Sequence, residues 1–299
     1  MPGAATTRCR WPNIPGHEFA GAVAAVGSGV TRFNVGDRVT APFVNGCGRC
    51  TWCRSGQAQV CPDQSQPGFT HPGSFAELVA VRAADFNLVR LPDAVDFVTA
   101  AGLGCRFATA YHALTAQSRL ASGDWLVVFG CGGVGLSAVL LGASAGARVI
   151  AIDPSEAARR WASELGAEVT LDRADPAALQ ALTGGGAHVT MDALGSGAIV
   201  DVAVRSLRPR GRHVQVGLML GDQSTAAVPW GAVVARELQV VGSHGMPAAD
   251  YPAMLELIGT GRVDPGRLVG RVVDLSRAGV ELMAMDAPAL SPGITVATL

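Results

Sequence analysis

The sequence predicts an α/β chain: a doubly wound parallel sheet with helices on both faces, joined to a smaller β-rich unit. Three observations predict it. From Trp125 onward, apolar strand-like runs alternate with helical ones. A glycine-rich turn, FGCGGVG, separates the first of those strands from its helix. The residues before about position 100 read instead as short strands parted by Gly and Pro. Alternation of strand and helix implies βαβ units, and hence parallel strands covered on both faces.

The elements follow in order. AVAAVG, DRVTAPFV, SFAELVAV and NLVRLP have strand composition. The Ala-rich run DFVTAAGLGCRFATAYHALTA, from Asp96, carries apolar residues on helical spacing and reads as one helix or two short ones. WLVVFG, RVIAID, EVTLD, HVTMDALG, RHVQVGL and ELQVVGS then read as strands, with four helical runs between them. After Ser243 come a helix around YPAMLELIGT, a strand-like RLVGRVVDL, a further helix and GITVATL. That tail is too small to fold alone and is expected to pack back onto the first unit. The expected division is 1–106 with 245–299 as one domain, carrying a lobe at 45–63, and 107–244 as the other.

Hydrophobic residues make up 49% and charged residues 16%, enough for a core and too little charge for disorder. The formal net charge of −1 argues against nucleic acid or an anionic membrane surface as partner. Trp125 to Ala147 has no charged side chain, but its glycines break it into strand, turn and helix, so it reads as sheet interior, not a membrane span. The opening MPGAATTRCRW lacks the apolar stretch of a secretory signal, so the expected compartment is the cytoplasm.

Gly130, Gly132 and Gly135 fit G-x-G-x-x-G, with Gly133 and Val134 in the same turn. The first glycine allows the tight turn, the second lets backbone approach a pyrophosphate, and the third lets helix and strand pack closely. Asp153 ends the next strand, where a carboxylate accepts hydrogen bonds from an adenosine ribose and repels a 2′-phosphate. The pattern predicts a Rossmann unit that prefers NAD to NADP. Arg159, one turn into the following helix, faces either the coenzyme or solvent.

Of the seven cysteines, Cys47, Cys50, Cys53 and Cys61 lie within one short stretch, spaced C-x2-C-x2-C-x7-C. Four thiolates at this spacing can close a tetrahedral zinc shell, a structural site with no open position. An iron–sulfur cluster is the rival, disfavoured by the long last spacing. Cys131 reads as core or as a bystander in the glycine turn, and Cys9 as incidental. His112, His188 and His213 read as structural, and His71 as a loop residue without a role, with a place in the substrate pocket as its alternative.

PGHEFAGAVAAVGSGVTRFNVGDRV, GCGRCTWCRSGQAQVC, QPGFTHPGSFAELVAV, GCRFATAYHAL and GCGGVGLSAV occur in an order that resembles the zinc-dependent medium-chain alcohol dehydrogenases over nearly the whole chain from Trp11. The resemblance implies a GroES-like catalytic domain beside the Rossmann domain, and hydride transfer between an alcohol and NAD. It implies that His17 and Cys105 are catalytic-zinc ligands, that Glu18 is a second ligand or one that swaps with water during turnover, and that Thr109, one helical turn after Cys105 and so expected to face the same way, touches the nicotinamide. Val216, Gly217, Leu218, Ser243 and His244 are similar to the positions that cradle the nicotinamide ring. It also implies an alcohol or aldehyde as substrate and a homodimer or homotetramer paired through ELQVVGS. Where family members carry further opening strands, a first zinc-ligand Cys and a proton-relaying Ser or Thr, this sequence has Met1 to Ile14. The expectation is an N-terminally truncated form whose GroES-like domain lacks its first strands. The alternative is a non-catalytic NAD-binding protein with a single structural zinc. A zinc-free quinone reductase of the same fold is disfavoured by the cysteine lobe and the His-Glu pair.

Overall fold

The structure, a computed structural model, describes residues 12–285 and 293–299. Cys9 lies outside the described residues. These residues form two units, one of 12–108, 245–285 and 294–299, the other of 109–244 with Gly293.

In the first unit, β1 (Ala20–Ala22), β2 (Arg38–Thr40) and β3 (Val89–Arg90) make an antiparallel sheet in the order β1-β2-β3. All four expected strands are shorter or absent, and DRVTAPFV is strand only at Arg38–Thr40. AVAAVG enters the sheet only at Ala22, and SFAELVAV is not a strand. A strand needs a ladder partner, and 74–81 finds one only at its start, where Gly73, Ser74 and Phe75 donate to the carbonyls of Ile14, Gly16 and Pro15. NLVRLP opens inside a short helix, Ala84–Asn87, and is strand only at Val89–Arg90.

The Ala-rich run is four short pieces in succession: an α-helix Phe97–Ala101, a π-helix Leu103–Phe107, an α-helix Ala108–His112 and a π-helix Ala113–Gln117. Asp96 caps the first by accepting from the Thr99 amide. The wide π turns break the 3.6-residue period assumed for Cys105 and Thr109, so spacing alone does not place those two on one face.

The second unit holds β4 (Trp125–Phe129), β5 (Arg148–Ile152), β6 (Val169–Leu171), β7 (Ala187–Asp192), β8 (Leu207–Gln215) and β9 (Gln239–Gly242). They form one parallel sheet, β6-β5-β4-β7-β8-β9. The order reverses between β4 and β7, which makes the carboxyl ends of those two strands the topological switch point of a Rossmann sheet. Every residue of β4 is buried, as its unbroken apolar run requires. Val127, Phe129 and Ile150 pack there against Leu179, Val200, Val204 and Leu207 from the covering helices and β8. No described helix is long and apolar enough to cross a membrane. Beyond this sheet the chain returns to the first unit, where β10 (Val269–Asp274) pairs in parallel with β11 (Ile294–Thr298).

His213, fully buried on β8, bonds Thr190 Oγ1 at 3.0 Å and Gln215 Oε1 at 3.2 Å. Burial holds its pKa below the usual histidine value, against smaller upward pushes from Gln215 and the Asp192 charge. The folded state therefore binds fewer protons than the unfolded chain, whose histidines titrate near about 6.5. Stability is fully present above that value and is lost as pH falls toward the depressed folded pKa. Tm is expected to drop between pH 7.5 and 5.5, and His213→Gln to flatten part of that drop. An unchanged slope in the variant would remove His213 from the account.

Candidate coenzyme and metal sites

The glycine turn joins β4 to the helix Gly133–Ser144. Gly130 has φ +91°, and a Cβ there would meet the Leu194 side chain at 2.7 Å. A Cβ on Gly135 would come within 1.7 Å of the Gly130 carbonyl oxygen, so helix and strand meet backbone to backbone. At Gly132 an added Cβ has nothing within 4 Å. That open face, above the first amides of the helix, suits a pyrophosphate.

Asp153 directly follows β5. Its Oδ2 accepts from the Cys131 amide and its Oδ1 from the Ser155 amide, each at 2.8 Å. The carboxylate thus ties the turn to the strand end, and each oxygen keeps a lone pair for a ribose hydroxyl. Arg159 donates to the carbonyls of Asp153 and Pro154, which commits its guanidinium to the strand end. Cys131 is buried, and burial, with the Asp153 charge, pushes its thiol up to about 12. It is an inert core thiol.

At the far side of the switch point, the Val216 and Gly217 amides donate to the Asp192 carbonyl. Leu218 is exposed, and the Ser243 amide donates to Gln215 O. His244 follows Ser243, its pKa lowered by burial. The hydroxyls of Thr109 and Ser243 are both buried without a hydrogen-bond partner. Leaving a polar group so costs about 1–3 kcal/mol, and two of them among the expected nicotinamide contacts fit a ligand that supplies the partners. Sequence reasoning missed Asp192 and Gln215, which organise this edge.

In the lobe, the Sγ atoms of Cys47, Cys50, Cys53 and Cys61 lie within 4.8 Å of one another. Cys50 to Cys61 is 3.7 Å and Cys47 to Cys53 is 4.0 Å. A tetrahedron with Zn–S near 2.3 Å has edges of roughly 3.8 Å, so the four sulfurs fit zinc. The Cys47 amide donates to Cys61 Sγ and the Cys53 amide to Cys50 Sγ, the usual outer support of a thiolate shell. Amides of Arg49 and Cys50 pull the Cys47 thiol down to about 6, whereas burial pushes Cys53 up to about 12 and raises Cys61. Asn87, unforeseen from the sequence, clamps the lobe by exchanging two hydrogen bonds with the backbone of Gly46.

The second metal set is different. His17 stands between the rings of Phe43 and Phe69, at 5.6 and 5.4 Å, and burial lowers its pKa. Glu18 is spent elsewhere. Its Oε1 accepts from the amides of Cys105 and Arg106 at 3.2 and 3.1 Å, and its Oε2 pairs with Arg106 Nη1 at 2.5 Å. The π turn at Leu103–Phe107 makes this possible, because it turns these two amides toward a side-chain acceptor. Tyr251, fully buried, braces the same turn by donating to Leu103 and Gly104 carbonyls. Among the described residues, the four lobe cysteines are the only group of three or more His, Cys, Asp or Glu with converging ligand atoms. His17, Glu18 and Cys105 do not make one, and Arg106 is the residue that sequence reasoning overlooked. Among the described residues, His17, Glu18 and Cys105 are thus not gathered into a metal-ligand set.

Two family models match the chain: alcohol dehydrogenase GroES-like domain over residues 2–93 and zinc-binding dehydrogenase over 133–260. An alcohol dehydrogenase of Geobacillus stearothermophilus is 33% identical over 255 residues, 84% of this chain and 74% of the relative. The chain belongs to the zinc-dependent medium-chain alcohol dehydrogenase family. An alcohol dehydrogenase of Schizosaccharomyces pombe is likewise 33% identical, over 86% of this chain and 73% of its own. The solved alcohol dehydrogenase of Thermus sp. ATN1 superposes with a TM-score of 0.86 at 29% identity, covering 92% of this chain and 81% of that one. Within this oxidoreductase family the β-rich first unit is GroES-like and the second is the Rossmann coenzyme unit.

Proposed function

We propose that this chain carries a hydride between an alcohol and NAD, interconverting the alcohol with its aldehyde or ketone. One observation supports this most: the glycine turn Gly130–Gly135 opens its helix at the carboxyl end of β4, at the switch point, with Asp153 at the end of the neighbouring strand. Bound NAD supplies the hydride-accepting nicotinamide. The residues of the chain bind and orient it. Gly132 and the helix amides take the pyrophosphate, Asp153 takes the ribose hydroxyls, and the hydroxyls of Thr109 and Ser243 hydrogen-bond the nicotinamide end. Zinc in the cysteine lobe holds that lobe in shape. No step is assigned to a metal at His17 and Cys105, where Glu18 is committed to Arg106.

The test is alcohol-dependent NADH formation together with zinc analysis. Turnover with two zinc ions per chain supports a complete enzyme. One zinc with coenzyme binding and no turnover would make the chain an NAD-binding protein with a structural zinc. Coenzyme choice has its own test. Asp153→Ser removes the charge that repels a 2′-phosphate and is expected to raise NADPH affinity relative to NADH by about tenfold, a change of about 1.4 kcal/mol. An unaltered ratio would refute the role of Asp153. We place the enzyme in the cytoplasm as a homodimer or homotetramer, with β9, at the sheet edge, as the pairing strand.

A further inference from the structure

Asp192 ends β7 with no exposed surface. Its carboxylate meets four donors. Oδ1 accepts from the amides of Leu194 at 2.7 Å and Gly195 at 3.0 Å. Oδ2 accepts from the Ser196 amide at 3.4 Å and from Gln215 Nε2 at 2.9 Å. Its carbonyl takes the amides of Val216 and Gly217 as well, so one residue serves the loops after both β7 and β8. Gln215 Nε2 also donates to the Gly217 carbonyl at 2.9 Å, and its Oε1 faces His213 Nε2, which fixes the amide's orientation. The two loops touch through backbone. A Cβ on Gly195 would lie 2.2 Å from Leu218 O, and one on Gly217 would lie 2.2 Å from Gly195 N. Neither loop can shift without the other.

We propose that Asp192 is a positioning residue for hydride transfer: it sets the shape of Val216-Gly217-Leu218, against which the nicotinamide rests. The inference rests on the coenzyme reading above. The chemistry explains why a carboxylate stands there. All four partners are N–H groups, and a carboxylate presents an acceptor oxygen to each side. An Asn would turn an NH2 toward donors and leave two or more of them unpaired in a buried place. The adenosine half of the coenzyme lies on the other loops, at Gly132 and Asp153, so disturbance at Asp192 should be felt at one end of the ligand only.

The experiment titrates the full chain and its Asp192→Asn and Gln215→Leu variants with NADH and with ADP-ribose, which lacks the nicotinamide. The expected result is a loss of about tenfold or more in NADH affinity with ADP-ribose binding held within about twofold. Gln215→Leu removes one donor of the four and keeps the carboxyl group, so it reads the same selectivity if Asp192→Asn does not fold. Parallel loss of both ligands, or no loss of either, would overturn the proposal. A wild-type chain that binds neither ligand overturns the coenzyme reading, and the proposal with it. Binding of NADH by the wild type with an unselective variant overturns the proposal alone.

Discussion

Cys61→Ser is expected to release the zinc of the cysteine lobe and unfold residues 45–63 while the rest of the chain stays folded. The lobe has little else to hold it. Its buried apolar set is Cys53, Ala58 and Cys61, backed by half-buried Cys47, Cys50 and Phe86. A structural zinc contributes on the order of 10 kcal/mol of apparent folding free energy in small metal-bound units, which far exceeds what so small a cluster supplies. The clamp of Asn87 on Gly46 marks the boundary beyond which order should persist. Metal analysis should find one zinc fewer per chain, and limited proteolysis should cut between Cys47 and Cys61. Full zinc content with unchanged resistance to protease would contradict the assignment of these four sulfurs.

Gly135→Ala is expected to damage fold and coenzyme binding together. Its Cβ would overlap the Gly130 carbonyl, which is backbone and cannot rotate away. Overpacking of this kind costs at least about 1–3 kcal/mol, and relief requires helix and strand to part at the place where phosphate is bound. Gly132→Ala provides the contrast. Nothing lies near its added Cβ, so the free protein should keep its Tm, while the methyl stands where backbone must approach the pyrophosphate. NADH affinity should fall in both variants and Tm only in the first. Equal Tm in the two would refute the close packing of the turn.

The parts of the molecule that were legible in the sequence are those written in short-range pattern. The uncharged run around β4, the glycine spacing and the cysteine spacing each concern residues within one or two elements, where periodicity and ligand geometry operate directly. What was not legible depends on partners far along the chain. Glu18 and Arg106 are 88 residues apart, and nothing in GHEF announces that its carboxylate will serve two amides of a π turn. The same holds for Asn87 and Gly46, and for the donors that gather on Asp192 from two loops. SFAELVAV has the composition of a strand, but composition does not supply a neighbour to pair with. The π turns themselves have no period that an Ala-rich segment would display.

The route of the chain through its two units has a consequence for how the protein is made. Apart from Gly293, the coenzyme unit is one continuous stretch, 109–244, whereas the first unit needs 12–108 to wait for 245–285 and for β11 at 294–298. During synthesis the parallel sheet can therefore close first, since its contacts are nearer in sequence. The lobe cysteines, all within 47–61, can capture metal earlier still. Nascent chains stalled just after residue 244 emerges should resist protease across 109–244 and be cut in 12–108 outside the lobe. The reverse pattern would refute this order.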